Sequence, residues 1–343
     1  MRKLLNTLYI TNPDIVLRRD GLTIVAKLED EKIAQYPIHN FEDIVCFNYT
    51  GVSSSLLELC AEKNVAVVFM SRTGKFRGKF YGPVKGNVLL RKEQYRISES
   101  EEDRLLYARL FVFAKIFNQV KSIDRVIRDH KSKINVSKLE LVKYSLLESK
   151  EKAIGCTSYE KLLGIEGDSA RNYFSVLGQL ILQQKEDFYF NDRNKRPALD
   201  RVNAMLNLTY GLIRVKMESA LETVGLDPYV GFLHKDRPGR TGLALDMMEE
   251  LRTLLGDKFV IKLINNKEIR KQDFIEKENG GIFFSEDGFK KYIDLWNKRM
   301  FEEIEHPFLE EKIPLGLLPY VQAMLLSRTL RNDLEMYPPF FIN

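Results

Sequence analysis

The hydrophobic period of the chain changes near Ser100, and that change limits the fold to a β-rich part followed by a helical one. Before it, short apolar runs at residues 14–17, 22–28, 33–38 and 44–47 alternate with turn signals such as Arg19-Asp20-Gly21, which predicts strands and hairpins. Ser53-Ser54-Ser55 predicts a helix start, with the helix reaching Lys63, and the wholly apolar Val65-Ala66-Val67-Val68-Phe69-Met70 predicts a buried strand. Beyond Ser100, Leu105, Leu106, Leu110, Ala114 and Ile116 recur at helical spacing, and similar patterns run to the C-terminus. The expected class is α+β. Residues 1–93 form the β-rich domain and 104–343 a larger all-α domain. Between them, 94–103 is a polar linker in which Ser98-Glu99-Ser100-Glu101-Glu102 also marks a helix start.

Composition narrows the function classes. A hydrophobic share of 44% with 29% charged residues excludes an intrinsically disordered chain. Lys and Arg outnumber Asp and Glu by 53 to 48, a mild lean toward an anionic partner. Cys46, Cys60 and Cys156 are too few and too scattered for a disulfide framework or a four-thiolate zinc site, so the expected compartment is the reducing cytoplasm. No uninterrupted apolar stretch approaches the roughly 18 residues of a membrane span, and Met1-Arg2-Lys3-Leu4-Leu5 lacks the apolar core of a signal peptide, so no membrane partner is expected.

Several segments carry residues suited to chemistry. Arg72, Lys75, Arg77, Lys79, Lys85, Arg91, Lys92 and Arg96 interleave with Phe76, Phe80, Tyr81 and Tyr95; this is either a DNA-contacting surface or a solvated hairpin edge. A second run, Lys121, Arg125, Arg128, His130, Lys131, Lys133 and Lys138, is a phosphate track or a solvated helix stripe. Leu163-Gly164-Ile165-Glu166-Gly167 places an acid between glycines at the head of a helix, where it either serves a site or complements the helix dipole. Arg193 and Arg196 lie in a basic loop that leads through Pro197 and Asp200 to a capped helix bearing Asn203 and Asn207. Finally, Gly231-Phe232-Leu233-His234 and the cations Lys235, Arg237 and Arg240 precede Leu243-Ala244-Leu245-Asp246-Met247-Met248-Glu249-Glu250-Leu251-Arg252. On a helical wheel Leu243, Met247, Leu251 and Leu254 form the apolar stripe, with Asp246 and Glu249 together on the other flank and Glu250 nearer the stripe.

The order of these motifs (a Gly-flanked Glu, an Arg-Pro loop before an Asn-bearing helix, a Gly-Phe-Leu-His loop and the acid-rich helix) closely resembles the CRISPR-associated adaptation integrase family, the universal first Cas protein. The resemblance spans the chain, since that family joins an N-terminal β domain to a larger helical one. Segment 230–252 is most similar to the members found with subtype I-C systems. By resemblance Glu166, His234 and Glu249 match the family's three metal ligands and catalytic residues; many members carry Asp at the last position. Geometry leaves Asp246 and Glu249 as candidates on the helix, and the resemblance selects Glu249, with Asp246 beside it to orient either a ligand or a basic side chain.

Two carboxylates with one imidazole and no thiolate suit Mn2+ or Mg2+. The resemblance implies a metal-dependent DNA endonuclease and integrase that joins spacer DNA to the repeat of a CRISPR array by 3′-hydroxyl attack. It also implies a homodimer and a small ferredoxin-like second Cas protein as partner; the edge strands of the β domain are the expected dimer surface, and Tyr337-Pro338-Pro339-Phe340-Phe341 is either an exposed partner anchor or a packed tail. Arg193, Arg196, Lys235, Arg237 and Arg240 are the expected DNA-binding residues. The competing readings are a helical DNA-binding scaffold without chemistry and an unrelated metal-dependent nuclease.

Overall fold

The computed structural model describes residues 5–47, 50–83, 88–195 and 197–342. Strands β1 (Asn6–Ile10), β2 (Val16–Asp20), β3 (Thr23–Leu28), β4 (Glu31–Pro37), β5 (Phe41–Phe47) and β6 (Gly51–Val52) precede helix α1 (Ser54–Lys63), followed by β7 (Ala66–Met70) and β8 (Phe76–Phe80). They form two four-stranded sheets, β4-β3-β2-β6 and β1-β5-β7-β8; in the second, β1, β5 and β7 run parallel and β8 antiparallel. Ser53 caps α1 by accepting a hydrogen bond from Leu56 N at 3.3 Å, as its position before the helix predicts.

Successive strand residues point to opposite faces, and both faces of the second sheet are covered. Ile44, Cys46 and Val67 enter a core shared with Leu17, Ile24 and the α1 side chains Leu56 and Leu59. Val45, Phe47, Val68 and Met70 face the opposite way, into the core of the helical part. This two-sided burial is why residues 65–70 carry no polar side chain. The three cysteines are free and buried.

Helices α2 (Val88–Glu99), α3 (Glu101–His130), α4 (Val136–Ile154), α5 (Tyr159–Leu177), α6 (Arg201–Val224), α7 (Gly242–Leu251), α8 (Lys258–Asn265), α9 (Glu286–Met300) and α10 (Leu318–Leu330) build the larger part. A π-helical turn, Arg252–Asp257, joins α7 to α8. Two short antiparallel hairpins interrupt the helices, β9 (Phe274–Glu276) with β10 (Ile282–Phe284) and β11 (Glu303–His306) with β12 (Glu311–Pro314), so this part is predominantly rather than wholly helical. The stretch 94–103, expected as a linker, is the second half of α2, then Ser100, then the first turn of α3. Leu90, Gln94 and Ile97 are buried on one face of α2, which anchors it to the core, and Ser100 caps α3 by accepting from Asp103 N at 3.2 Å. Among the described residues no helix is long and apolar enough to cross a membrane.

Candidate active site

α3 packs against α5 and α7 at the centre of the helical part. Ser158 caps α5, accepting from Lys161 N at 3.4 Å, so Glu166 lies two turns inside the helix rather than at its head. The dipole explanation for this acid therefore fails, since that field acts on the first turn. Gly164 and Gly167 are tolerated within the helix, and no heavy atom lies within 4 Å of where a Cβ would sit on either. They leave the Glu166 carboxylate room.

The partner of Glu166 is Lys115, on the face of α3 that buries Ala108, Phe111 and Val112. Its ammonium contacts Glu166 Oε1 and lies 2.9 Å from Glu249 Oε2, so one cation bridges the two carboxylates. Arg252, one turn beyond on the π-helical segment, donates from Nη1 to Glu249 Oε1 at 2.9 Å and lies 4.1 Å from the centroid of the Tyr210 ring. Burial alone would favour neutral groups here. Arg252 and Lys115, with His234, outweigh it and hold Glu249 well below the usual carboxylate range. Burial likewise opposes the Lys115 charge, and Glu249 and Glu166 overcome it, raising that ammonium above an ordinary lysine.

His234 is placed by a different acid. Asp246 is fully buried, and its Oδ2 accepts from Phe232 N at 2.6 Å and Leu233 N at 2.8 Å. Its Oδ1 accepts from His234 N at 2.9 Å and lies 2.6 Å from His234 Nδ1. Held there as a donor, Nδ1 leaves Nε2 as the free nitrogen of the ring. The loop approaches α7 closely because of Gly231, where a Cβ would stand 2.7 Å from Asp246 Oδ2 and from the Gly242 carbonyl carbon. Gln94 of α2 clasps the stretch before it, donating to the Asp227 and Val230 carbonyls at 2.8 Å each. Arg104 Nε donates to Phe232 O at 3.2 Å, and the Tyr159 hydroxyl donates to Leu233 O.

Glu250, on the stripe side of α7, turns away from this cluster. It accepts from Phe340 N at 2.7 Å, from Gln322 and from the Tyr337 hydroxyl, so the C-terminal Tyr337-Pro338-Pro339-Phe340 run is packed inside rather than exposed as an anchor. Burial raises the Glu250 carboxyl to about 7 against the pull of those three donors.

Of the expected DNA contacts, Arg237 is exposed, Lys235 is exposed with its ammonium 4.8 Å from the Tyr159 ring centroid, and Arg240 is half-buried. Arg193 directs Nη1 to Asn203 Oδ1 and Nη2 to Asn207 Oδ1, each at 2.7 Å, fastening its loop to α6. Arg196, like Lys85 of the first basic run, lies outside the described residues. That first run is partly built into the junction between the two parts. Lys79, 9% exposed, pairs with Glu222 of α6, and Arg72 donates to Thr11 O at 3.3 Å and lies 5.6 Å from the Phe289 ring centroid. In the second run Arg125 and Arg128 pair with Asp129 of the same helix.

Lys115 and Arg252 were not singled out by the motifs. The signal for Lys115 is a lysine at a core position of α3 followed by Asn118, Gln119 and Ser122 on the same buried face. Two carboxylates converging on one cation, beside an imidazole with Nδ1 pinned, are an O, O, N donor set that fits Mn2+ or Mg2+ in kind. Among the described residues no three His, Cys, Asp or Glu side chains close round a single point; the Lys115 ammonium stands between Glu166 and Glu249.

A β-rich part set against a larger helical part, with acids, a histidine and cations gathered at the helical centre, defines a distinct two-part class. Residues 8–298 match the family described as CRISPR associated protein Cas1, and the chain belongs to that family. The CRISPR-associated endonuclease Cas1 1 of Chlorobaculum tepidum is 43% identical over 340 residues, 99% of each chain. A casposase bound to its integration product shares the fold with a TM-score of 0.83 at 22% identity, covering 97% of this chain and 92% of that one. A chain of the Cas6-RT-Cas1–Cas2 complex matches with a TM-score of 0.81 at 20% identity, covering 97% of this chain and 36% of its own length.

Proposed function

We propose that this chain cuts and joins DNA in CRISPR adaptation, inserting spacer DNA into the array by attack of a 3′-hydroxyl on a repeat phosphodiester. The observation that carries the reading is the convergence of Glu166 and Glu249 on one cation beside a histidine oriented by a buried aspartate. Glu166, Glu249 and His234 Nε2 would hold Mn2+ or Mg2+; such an ion polarises the phosphodiester and activates the attacking hydroxyl when bound. The chain's own residues prepare that site. Asp246 keeps the Nδ1 proton on its side of the ring, and Arg252 keeps Glu249 ionised. Lys235, Arg237 and Arg240 carry positive charge next to His234, where they attract the DNA backbone. With the 3′-hydroxyl as nucleophile one P–O bond forms as another breaks, and with water in its place the strand is hydrolysed.

The endonuclease name of the C. tepidum relative and the integration product on the casposase support cutting and joining respectively. The Cas1–Cas2 assembly among the structural neighbours supports a second Cas protein as partner, here taken to be a small ferredoxin-like one bridging two homodimers. The subtype I-C assignment rests on segment 230–252 alone.

A strand-transfer assay tests the reading with purified chain, its small partner, a duplex with free 3′-hydroxyls and a repeat-bearing plasmid. Mn2+ or Mg2+ supports joining, excess chelator abolishes it, and Glu166→Gln and Glu249→Gln lose product equally while retaining DNA affinity. Joining undiminished in chelator sinks the metal mechanism. DNA binding without cleavage or joining under any divalent ion makes the chain a scaffold.

A further inference from the structure

We propose that Lys115 is a built-in counter-ion of the carboxylate pair, holding Glu166 and Glu249 together until a divalent ion displaces its ammonium, and thereby lowering the affinity of the site for that ion. The inference rests on the reading of Glu166 and Glu249 as metal ligands. It starts from burial: the Lys115 side chain is 3% exposed, so its ammonium is satisfied by the two carboxylates rather than by a shell of water. The Glu166 side is more open, its side chain 26% exposed, which leaves a route by which an ion reaches the pair.

Charge counting gives the direction of the effect. Glu166 and Glu249 carry two negative charges, and Lys115 and Arg252 balance them with two positive ones. A divalent ion added to that neutral set meets an ammonium already at the carboxylate oxygens it needs. Without Lys115 the same set carries one net negative charge and has no competing cation. The ion and the ammonium therefore exclude one another, and loss of the lysine strengthens ion binding.

The backbone does not have to move for the exchange. Asn118, one turn beyond Lys115, donates from Nδ2 to Glu250 O at 2.8 Å and Phe340 O at 2.9 Å, and its Oδ1 accepts from Ile342 N at 2.8 Å. These bonds tie α3 to α7 independently of the ion pair, so displacement falls on the flexible lysine stem. A purely structural salt bridge predicts the opposite outcome. There, removing Lys115 would let the carboxylates part and weaken ion binding.

The test is Mn2+ binding to the full chain without DNA, read from the paramagnetic resonance signal of the free ion, with thermal unfolding measured alongside. Lys115→Met keeps the stem and removes the charge; Lys115→Arg keeps the charge. The Met variant should bind Mn2+ at least about tenfold more tightly, equivalent to about 1.4 kcal/mol. It should also unfold at a lower temperature than the native chain without the ion and regain that difference when saturated, while the Arg variant binds no more tightly than the native chain. If the Met variant does not fold, Lys115→Gln provides the same uncharged comparison. Binding by the uncharged variant that equals or falls below the native level overturns the inference and leaves the metal reading standing. Absence of Mn2+ binding by both the native chain and the variant overturns the metal reading and the inference with it.

Discussion

Replacing Asp246 by Asn exchanges one carboxylate oxygen for an amide that donates where the protein needs an acceptor. Asp246 is fully buried and takes four donors, two on each oxygen: Phe232 N and Leu233 N on Oδ2, and His234 N and Nδ1 on Oδ1. An asparagine keeps one oxygen: with its amide toward Phe232 N and Leu233 N it loses two of the four bonds, and with its amide toward His234 it loses the bond from His234 N and reverses the one to Nδ1. Each lost bond to a charged group removes about 1.5 kcal/mol or more, and the bonds that remain go to a neutral amide instead of a carboxylate, putting the expected destabilisation at roughly 3–5 kcal/mol. That is a large fraction of the roughly 5–15 kcal/mol that holds a domain folded. If the amide faces His234, the ring must accept at Nδ1 and carry its proton on Nε2, the nitrogen assigned to the metal. Urea unfolding at fixed pH should show the fall in midpoint. Strand transfer, measured where the variant is still folded, should fall about 10–100-fold. Glu249→Gln should cost more, because it removes a proposed ligand outright. A variant that unfolds at the native midpoint, or that joins DNA at the native rate, would refute the claim that this carboxylate builds the loop and sets the tautomer.

Glu250 makes a prediction about pH. Its carboxyl is raised from the ordinary 4.5 to about 7 in the folded protein, so the native state binds a proton that the unfolded chain has released, and stability falls as pH rises through that window. Glu250→Gln has no such proton; relative to the native chain it should gain about 3 kcal/mol between pH 4.5 and 7.5, read as urea midpoints of both proteins, and a pH-independent difference would show that the carboxyl is already ionised. Lys79→Met should lower stability by about 1–3 kcal/mol by leaving Glu222 unpaired at the junction. It should leave the salt dependence of DNA binding unchanged, whereas Arg237→Ala should flatten that slope by about one. Equal changes of slope in the two variants would return Lys79 to the DNA surface.

Features that depend on near neighbours are legible in the amino-acid order. The change of period near Ser100 separates strands from helices; Ser53 and Ser100 mark helix starts through their own hydroxyls, and Asp200 caps α6 by accepting from Asn203 N at 2.7 Å. The apolar run ending at Met70 announces a strand because burial on both faces removes any reason for alternation. The polar stretch 94–103 misled because Gln94 is buried by the distant Asp227 and Val230 carbonyls, and the glycines around Glu166 misled because a helix begun at Ser158 runs through them. A wheel also places Asp246 and Glu249 on one flank without showing which is claimed by what. Tertiary structure decided that: backbone N–H groups of residues 232–234 take Asp246, and Lys115 of α3 takes Glu249. Lys115 itself is 51 residues from Glu166 along the chain, and no local pattern pairs them. Caps and periods are set within about four residues by backbone geometry, whereas a buried charge is set by whichever distant segment brings the compensating charge.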